Sequence, residues 1–563
     1  MPADLIVINA RVFRAFAPGE SPTPGSDLGL PPAGAPTAVA LSGGRIASVG
    51  SDRDALREHR GARTEVVDAR GGLLTAGFDD AHTHVLYGAR ALDLVDLFGL
   101  ETVEAIGTAI RSWAAAHPDR PWVEGRGWFY APFPGAMPTR AILDELVPDR
   151  PAWLEGYDGH TGWANSRALA AAGIDAGTPD PPFGEIVRDP ATGEPTGALK
   201  EAAMRLFDGV PPPPSAEADL ASMRRAFAAF HRLGLTAVQD AMVVPAEVPV
   251  WRRLLADGDL GVRARLALTM TPATDPAAWE QRLDEFEAAV GDLRGGRWLD
   301  AGILKGFADG VIESRTAAMI EPYAGSDSRG VPEWTPTELD AHVAAAGRRG
   351  WQIEVHAIGD GGVRMVLDAY ERAGLTDPRP VADRPRHRIE HIETVAADDI
   401  PRFGRLGVIA SMQPFHADPS PNQISVWAAN IGPERASRAW PWRSIRAGGG
   451  VIALGSDWPV VPFDPFIAIH GAVTRQNLHG EPAGGWLPEE RLSLPEALSA
   501  YGHGAAYAAH ADDHRGTIRV GADADLVVLD RDLLALDASA IIGTGVALTV
   551  VDGRVVHRVE DAP

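Results

Sequence analysis

Two histidines separated by one residue stand in the segment GFDDAHTHVL, which covers residues 77–86. In a β-strand, residues i and i+2 point to the same side, so His82 and His84 would face one point in space. Two converging imidazoles can bind a metal ion. For this motif alone, two exposed loop histidines are the simpler explanation. The remaining sequence has to decide between these interpretations.

Further residues that could bind a metal stand at the ends of later apolar, strand-like segments. Lys305, His356, His391 and Asp457 occur in GILKGFADG, QIEVHAIGD, HRIEHIE and VIALGSDWP. Four imidazoles and one carboxylate are enough to bind one or two divalent ions through nitrogen and oxygen. Each of these histidines alone could be structural, and the aspartate could cap a helix or a turn. Their shared position favours a metal site.

Lys305 is an unexpected member of this set, because an ammonium group repels a cation. It becomes a suitable ligand if carbon dioxide converts its amine to a carbamate, an anion that can bridge two metal ions. The alternative is a structural lysine, either ion-paired or with its charged head at the surface.

The elements that must position these residues alternate between strands and helices. From about residue 76 to about residue 500, apolar segments of strand length alternate with helical patterns at 216–234 and 337–350. This alternation predicts a parallel sheet with crossover helices, and the length favours an α/β (β/α)8 barrel over an open doubly wound sheet. Chemistry in such barrels lies at the C-terminal ends of the strands, where the candidate residues stand.

The ends of the chain differ from its middle. Residues 1–75 and 505–563 contain short β-type segments and tight turns, so we expect them to form one small composite β-sandwich domain. We expect residues 76–504 to form the barrel, with an inserted subdomain at about 86–220 that could form a wall over the site. The segment at about 17–36 is rich in Pro and Gly and is predicted to be a surface loop.

Composition excludes several classes of function. The net charge of -24 argues against binding to nucleic acid or to anionic membranes. The absence of cysteine excludes disulfides and thiolate ligands. The N-terminus lacks the pattern of a signal peptide, and no apolar run is long enough to span a membrane, so the expected location is cytoplasmic. For oligomeric state, a homodimer is only the commonest default.

The sequence resembles the amidohydrolase superfamily, specifically its YtcJ-like branch (amidohydrolase family 3). The resemblance covers nearly the whole chain, and the matching segments are GFDDAHTH, DGHTGWANSRAL, GEPTGALKEAA, LKGFADGVIESRTAAM, VHAIGD, HRIEHIE, IASMQPFH, LGSDWPV, ADADLVVLD and VVDGRVV. The resemblance implies a (β/α)8 TIM barrel with a β-sandwich built from both termini.

The resemblance also implies a metal site with zinc as the usual ion. His82, His84 and Asp457 would bind the first ion. Lys305, as carboxylysine, would bridge to a second ion held by His356 and His391. Lys200, in GALKEAA, is an alternative functional lysine, but the segment around Lys305 is more strand-like.

These expectations point to a hydrolase that cleaves a carbon–nitrogen bond of a small molecule with a metal-activated hydroxide. Asp457 would act as general base and then as general acid. We expect the substrate to contact His160, Trp163, Arg315 and Phe415, although His160 could instead hold a loop by hydrogen bonds.

Several other functions remain to be weighed. The same site could hydrolyse esters, lactones or organophosphates. A silent binding protein would require a lost ligand, and all six ligand candidates are present. A serine hydrolase or a nucleotide-binding protein lacks its motif in this sequence.

Overall fold

The computed structural model describes residues 2–17, 34–272, 275–375 and 386–559. Most of the predicted Pro- and Gly-rich loop therefore lies outside the described residues. The strands belong to four sheets: a parallel sheet of eight strands, a sheet of six, and two smaller sheets near the chain ends. None of the described helices is both long enough and apolar enough to cross a membrane.

The strands are distributed along the whole chain. The N-terminal region contains β1 (Leu5–Ile8), β2 (Arg11–Val12), β3 (Ala38–Ser42), β4 (Arg45–Gly50), β5 (Glu65–Asp68) and β6 (Leu73–Ala76). The next strands are β7 (Phe78–Thr83), β8 (Val95–Asp96), β9 (Val123–Trp128), β10 (Ala152–Gly156), β11 (Thr161–Ala164), β12 (Gly184–Arg188) and β13 (Pro195–Glu201). The remaining strands are β14 (Leu235–Val243), β15 (Arg263–Thr269), β16 (Leu299–Phe307), β17 (Gln352–Ala357), β18 (Arg388–His391), β19 (Ile409–Met412), β20 (Val451–Leu454), β21 (Leu526–Leu529), β22 (Val546–Val551) and β23 (Arg554–Arg558).

The α-helices are concentrated between the strands of the central region. The first half of the chain contains α1 (Asp52–His59), α2 (Val85–Ala91), α3 (Val103–Ala116), α4 (Arg140–Leu146), α5 (Ser166–Ala172), α6 (Ala216–Arg232), α7 (Val248–Asp257) and α8 (Pro276–Val290). The second half contains α9 (Pro336–Arg348), α10 (Asp360–Arg372), α11 (Ile400–Leu406), α12 (Ala428–Ile431), α13 (Pro433–Ala436), α14 (Trp442–Ala447), α15 (Pro465–Thr474), α16 (Leu494–Ser499) and α17 (Ala505–Ala508).

The eight-stranded sheet is the predicted barrel. Its order is β7, β14, β15, β16, β17, β18, β19 and β20, and every paired neighbour is parallel. Two backbone hydrogen bonds of 2.7 Å join the last strand region to the first, from Asp457 N to His82 O and from His84 N to Trp458 O. The predicted (β/α)8 fold is therefore confirmed.

The barrel helices form where the sequence supplies both a cap and an apolar face. Ser215 accepts a hydrogen bond from the backbone N–H of Ala218 and so caps α6. The same helix buries Leu220, Met223 and Phe227, whose spacing of three to four residues lies along one face. Burial of that face against the strands provides most of the helix's stability, because isolated helices of this length are marginal in water.

The insertion between β7 and β14 forms a separate sheet. Its order is β12, β13, β11, β10, β9 and β8, and helices α3, α4 and α5 accompany it. Two apolar segments that resemble the barrel strands in sequence, at 121–128 and 151–157, supply β9 and β10 of this sheet. The local sequence therefore predicted that these segments are strands, but it did not predict which sheet they join.

The chain ends meet in the two smaller sheets. Strand β6 pairs with β21 in the order β2, β6, β21, β22 and β23, and the other sheet has the order β4, β3, β1 and β5. Leu5, Leu41, Leu74, Leu526 and Val550 are members of one shared buried cluster, so the two sheets pack face to face. The domain limits near residues 75 and 505 remain predictions.

Candidate metal centre and active site

The six predicted ligand residues lie at the C-terminal end of the barrel. His82 and His84 stand at the end of β7, and Lys305 stands near the end of β16. His356 and His391 stand at the ends of β17 and β18. The sixth residue, Asp457, follows β20 by three residues, and all six line one cavity of about 810 Å³. Their strand-end positions bring them together because parallel strands all end at the same rim.

Asp457 is the point on which the first histidines converge. Its Oδ1 lies 2.9 Å from His84 Nε2 and 3.4 Å from His82 Nε2. His391 also approaches, with Nδ1 3.9 Å from Asp457 Oδ2. One potential ligand atom from each of His82, His391 and Asp457 lies within 4.8 Å of the others. Such a group can surround a single divalent cation.

Orphaned polar atoms support this interpretation. His82 Nε2 and Asp457 Oδ1 are buried, and although Oδ1 lies 2.9 Å from His84 Nε2, neither atom makes a hydrogen bond of normal geometry among the described residues. Buried polar atoms are normally paired, so each unpaired atom requires an explanation. A cation between these atoms would satisfy both, and the donor set of imidazole and carboxylate suits zinc.

Lys305 is fully buried, and it is neither ion-paired with a described residue nor exposed at the surface, as a structural lysine would be. Its Nζ has no hydrogen-bond partner among the described residues and lies 4.8 Å from the centre of the Phe307 ring. Lys200, the alternative, lies in the inserted sheet and forms a 3.0 Å ion pair with Glu185. Only Lys305 of these two lines the cavity.

His356 and His391 lie side by side, with ring centres 4.6 Å apart. His391 Nδ1 lies 2.8 Å from Gln413 Oε1, and His356 Nε2 lies 3.2 Å from the carbonyl oxygen of Gly310. Burial lowers the pKa of both imidazoles well below its ordinary value. They are therefore neutral near pH 7, which is the form that binds a metal.

Glu390 holds His82 from inside the barrel. Its Oε2 lies 2.6 Å from His82 Nδ1, and its Oε1 accepts a 2.8 Å hydrogen bond from Arg388 Nε. Burial would raise the pKa of Glu390, but Arg388 and His82 outweigh burial and lower it to about 2. Burial would likewise lower the pKa of His82, but Glu390 and Asp457 raise it to about 9. A carboxylate behind a ligand histidine fixes the ring so that its other nitrogen faces the metal.

The loop that carries Asp457 is held by Asp80 of the first histidine motif. Asp80 accepts hydrogen bonds from Ser456 N at 2.8 Å and from Ser456 Oγ at 2.5 Å. Asp457 and His391 have φ angles of 63° and 75°, in a region that costs free energy for residues other than glycine. Backbone strain of this kind clusters at functional sites when the surrounding structure maintains it.

Of the four predicted substrate contacts, the structure places only His160 at the cavity. Its Nδ1 lies 2.7 Å from Glu201 Oε2, and its ring centre lies 5.1 Å from that of His356. Burial would lower the pKa of His160, but Glu201 raises it to about 9.

Trp163, Arg315 and Phe415 are not among the residues that line this cavity, and their contact with a substrate stays a prediction. Trp163 is buried in the core of the inserted sheet and donates a hydrogen bond to Thr139 O, because both faces of its strand are covered. Arg315 donates from Nε to Asn430 Oδ1 at 2.9 Å and is exposed. Phe415 packs against the apolar cluster of the insertion.

Several cavity residues were missed from sequence, among them His416. His416 Nε2 lies 3.5 Å from Asp457 Oδ2, and its Nδ1 lies 3.6 Å from Glu393 Oε1. Glu313 and Glu393 also line the cavity. The signal that could have found them is their place in segments that resemble the family, since His416 ends IASMQPFH and Glu393 ends HRIEHIE.

A parallel barrel with imidazoles, a lysine and a carboxylate gathered at its C-terminal rim has the architecture of a barrel hydrolase. The family model described as "Amidohydrolase family" matches residues 65–557. The chain therefore belongs to the amidohydrolase family, as the resemblance in its motifs had indicated.

Individual relatives cover most of the chain. Protein LONG AFTER FAR-RED 3 of Arabidopsis thaliana is 32% identical, over 98% of this chain and 91% of its own length. The N-substituted formamide deformylase of Arthrobacter pascens is 30% identical, over 92% of this chain and 94% of its own. The crystal structure of an uncharacterized metal-dependent hydrolase from Pyrococcus furiosus matches with a TM-score of 0.69 and 25% identity, over 94% of this chain and 99% of the other.

Proposed function

We propose that this protein is a metal-dependent hydrolase that cleaves a carbon–nitrogen bond of amide type in a small molecule. The observation that carries the proposal is the convergence of His82, His84 and His391 on Asp457 inside a cavity large enough for a small substrate. The similarity to a formamide deformylase along nearly the whole chain supports the choice of bond.

We assign the metal ligands to two ions. His82, His84 and Asp457 would hold one divalent ion, with zinc as the first choice. Lys305, as a carbamate, would join it to a second ion held by His356 and His391.

The environment of Lys305 suits carbamate formation. Burial lowers the pKa of its amine, although Glu390 and Glu354 oppose that effect. A lower pKa increases the fraction of neutral amine, which is the form that attacks carbon dioxide. No described residue forms a hydrogen bond with Nζ, which leaves the amine free for this reaction.

A bound metal would lower the pKa of a water molecule and polarise the carbonyl of the substrate. Asp457 would accept and then donate the proton. Burial would raise its pKa, but His82 and His84 lower it well below its ordinary value, so it is a carboxylate at neutral pH. It can therefore accept a proton from the attacking water and deliver it to the departing nitrogen.

His160 is the residue we assign to the substrate carbonyl or to its departing group. The Glu201 carboxylate keeps the imidazole charged at neutral pH and directs its Nδ1, which leaves Nε2 for the cavity. Thr316 donates a 2.5 Å hydrogen bond to the other Glu201 oxygen, so the pair is anchored to the loop after β16.

The test is to measure bound metal per chain and hydrolysis in the same preparation. The protein is purified without added metal or chelator and assayed on N-substituted formamides, on other N-acyl amines and on esters of the same acyl groups. Removal of metal should abolish hydrolysis, and re-addition should restore it. Hydrolysis of esters alone would redirect the assignment to an ester or lactone hydrolase, and a protein that binds no metal would refute it.

A further inference from the structure

A group of buried acceptors lies in the cavity beside the proposed metal centre, and the proposed hydrolysis does not use it. Glu313 and Glu393 line the cavity and are only 6% and 5% exposed. Tyr157 donates its hydroxyl hydrogen to Glu313 Oε1, and Asn422 Nδ2 lies 3.4 Å from the same oxygen. We call these four residues the acidic subsite.

The acidic subsite lacks a matching cation. Within the described ranges, Glu313 forms no ion pair, and Glu393 pairs only with His416 at 3.6 Å. Burial and the nearby Glu393 raise the pKa of Glu313 well above its ordinary value. The raised pKa favours the neutral acid of Glu313 in the empty site, and a positive group bound beside it would favour the carboxylate and pair with it.

Asn422 contacts Glu313 from outside the set of cavity-lining residues. It is 4% exposed, and its Nδ2 faces Tyr157 Oη, Glu313 Oε1 and Gln423 Oε1 at 3.3, 3.4 and 3.1 Å. Its Oδ1 is buried and accepts no hydrogen bond from any residue that the structure describes. The amide Nδ2 donates toward the Glu313 oxygen and so helps to fix the position of that carboxylate.

The acidic subsite is close to the reacting groups. The imidazole of His416 alone separates Glu393 from Asp457, with 3.6 Å on one side and 3.5 Å on the other. The His416 ring also stacks on the His391 ring at 5.7 Å between centres. A substrate group bound between Glu313 and Glu393 is therefore only a short chain of atoms from the bond to be cleaved.

We propose that the acidic subsite binds a cationic nitrogen of the substrate, such as a primary ammonium group. The substrate class is then an N-acyl compound that carries a positively charged amine a few bonds from its amide. An ammonium group supplies three donors, and the carboxylates of Glu313 and Glu393 keep acceptor capacity beyond the hydrogen bonds that Tyr157 and the Trp427 indole donate to them. This inference rests on the proposed function, because it names the substrate class of the same cavity.

The experiment measures binding separately from turnover. Binding is measured by calorimetry on the Asp457→Asn variant, which we expect to be unable to complete hydrolysis and whose metal content is measured first, because Asp457 is also a proposed metal ligand. The probes are N-formylputrescine and its neutral isostere N-formylpentylamine. A second pair, N-formylethylenediamine and N-formylpropylamine, shortens the spacer. We expect the better cationic probe to bind at least about tenfold more tightly than its isostere, as for a hydrogen bond to a charged group.

Substitutions then test whether the acidic subsite causes the preference for the cationic probe. Adding Glu313→Gln should reduce the ratio to about one, because the carboxylate is lost and the shape is kept. Asn422→Leu tests the same subsite if the glutamine variant folds poorly, and it should also lower the ratio. Asp208→Asn is the matched control, because Asp208 is an exposed carboxylate at the rim of the same cavity. That variant should keep the ratio.

Three results would overturn the inference: equal binding of both members of each pair, a preference that survives in both subsite variants, or a preference that Asp208→Asn also removes. Binding of none of the probes would count against it equally.

Turnover by the unsubstituted protein separates this failure from that of the proposed function. Hydrolysis of both members of a pair with equal kcat/KM would support the proposed hydrolase and refute the acidic subsite. Preferential binding of the cationic probe without hydrolysis of any amide would support the acidic subsite and refute the proposed function.

Discussion

Glu390 offers the sharpest test of how the proposed metal ligands are held. The change Glu390→Gln keeps the size of the side chain and removes its charge. The wild-type carboxylate lies 2.6 Å from His82 Nδ1 and accepts a 2.8 Å hydrogen bond from Arg388. The amide can still accept one hydrogen bond, but it cannot hold both partners as an anion does.

Two magnitudes follow from these contacts. Loss of the partner behind a metal-binding histidine typically costs about 10–100-fold in metal affinity or activity, so we expect a fall in that range. The Arg388 guanidinium is 0% exposed, so removal of its partner carboxylate should destabilise the fold by about 3–5 kcal/mol. The loss should be smaller to the extent that Glu354, which lies 3.3 Å from Arg388, still pairs with the guanidinium.

The pH dependence of the metal-free protein gives a further check. The pKa of His82 is raised from 6.5 to about 9, so its pairing stabilises the fold below pH 6.5, and this contribution is lost as pH rises through 9. The pKa of Glu390 is lowered from 4.5 to about 2, so its contribution is present above pH 4.5 and is lost as pH falls through 2. In Glu390→Gln, the loss of stability between pH 6.5 and 9 should shrink.

The assays are metal titration by calorimetry and urea unfolding of the metal-free protein across this pH range. Glu354→Gln is the comparison variant, because Glu354 is a second buried carboxylate that pairs with Arg388 at 3.3 Å and forms no hydrogen bond with His82, although it lies close enough to His82 and Glu390 to share a metal ion with them. Unchanged metal affinity in Glu390→Gln, or an equal loss in Glu354→Gln, would refute the view that Glu390 positions His82.

Other substitutions test the remaining roles. Asp457→Asn should lower kcat by about 10²–10⁴-fold with the fold intact in thermal unfolding, and near-normal turnover would exclude it as the general base. Lys305→Met should lower the metal content from about two ions per chain to about one and end any stimulation by bicarbonate, whereas two ions in that variant would exclude a bridging carbamate. In the wild type, kcat/KM should fall as pH rises through about 9, where His160 loses its proton. In Glu201→Gln this fall should move to lower pH, and an unmoved profile would show that His160 does not govern it.

Local signals in the sequence accounted for the elements and the ligand candidates. Helical periodicity predicted α6, and apolar runs of strand length predicted the barrel strands, because both signals depend on neighbours a few residues away. His82 and His84 share a side through the period of a strand. Lys305, His356 and Asp457 stood out because each stands in or just after an apolar run of strand length. Parallel strands with crossover helices then require these ends to meet.

Tertiary structure decided which side chains reach the cavity. Trp163 resembles a pocket residue in its motif, but its strand is buried on both faces and its indole lies in the core of the insertion. Glu313 and Glu393 are adjacent only because loops after β16 and β18 turn over the same rim. Lys200 and Lys305 both follow plausible motifs, and their difference lies in which sheet each strand joined.

The chain itself therefore determined the barrel, its active end and the kinds of ligand atom available there, because these follow from short-range patterns and from the geometry of parallel strands. The substrate pocket depended on contacts between segments far apart in sequence. Those contacts depend on the orientation of each side chain and on the packing of the insertion against the rim, and no local pattern encodes either of them.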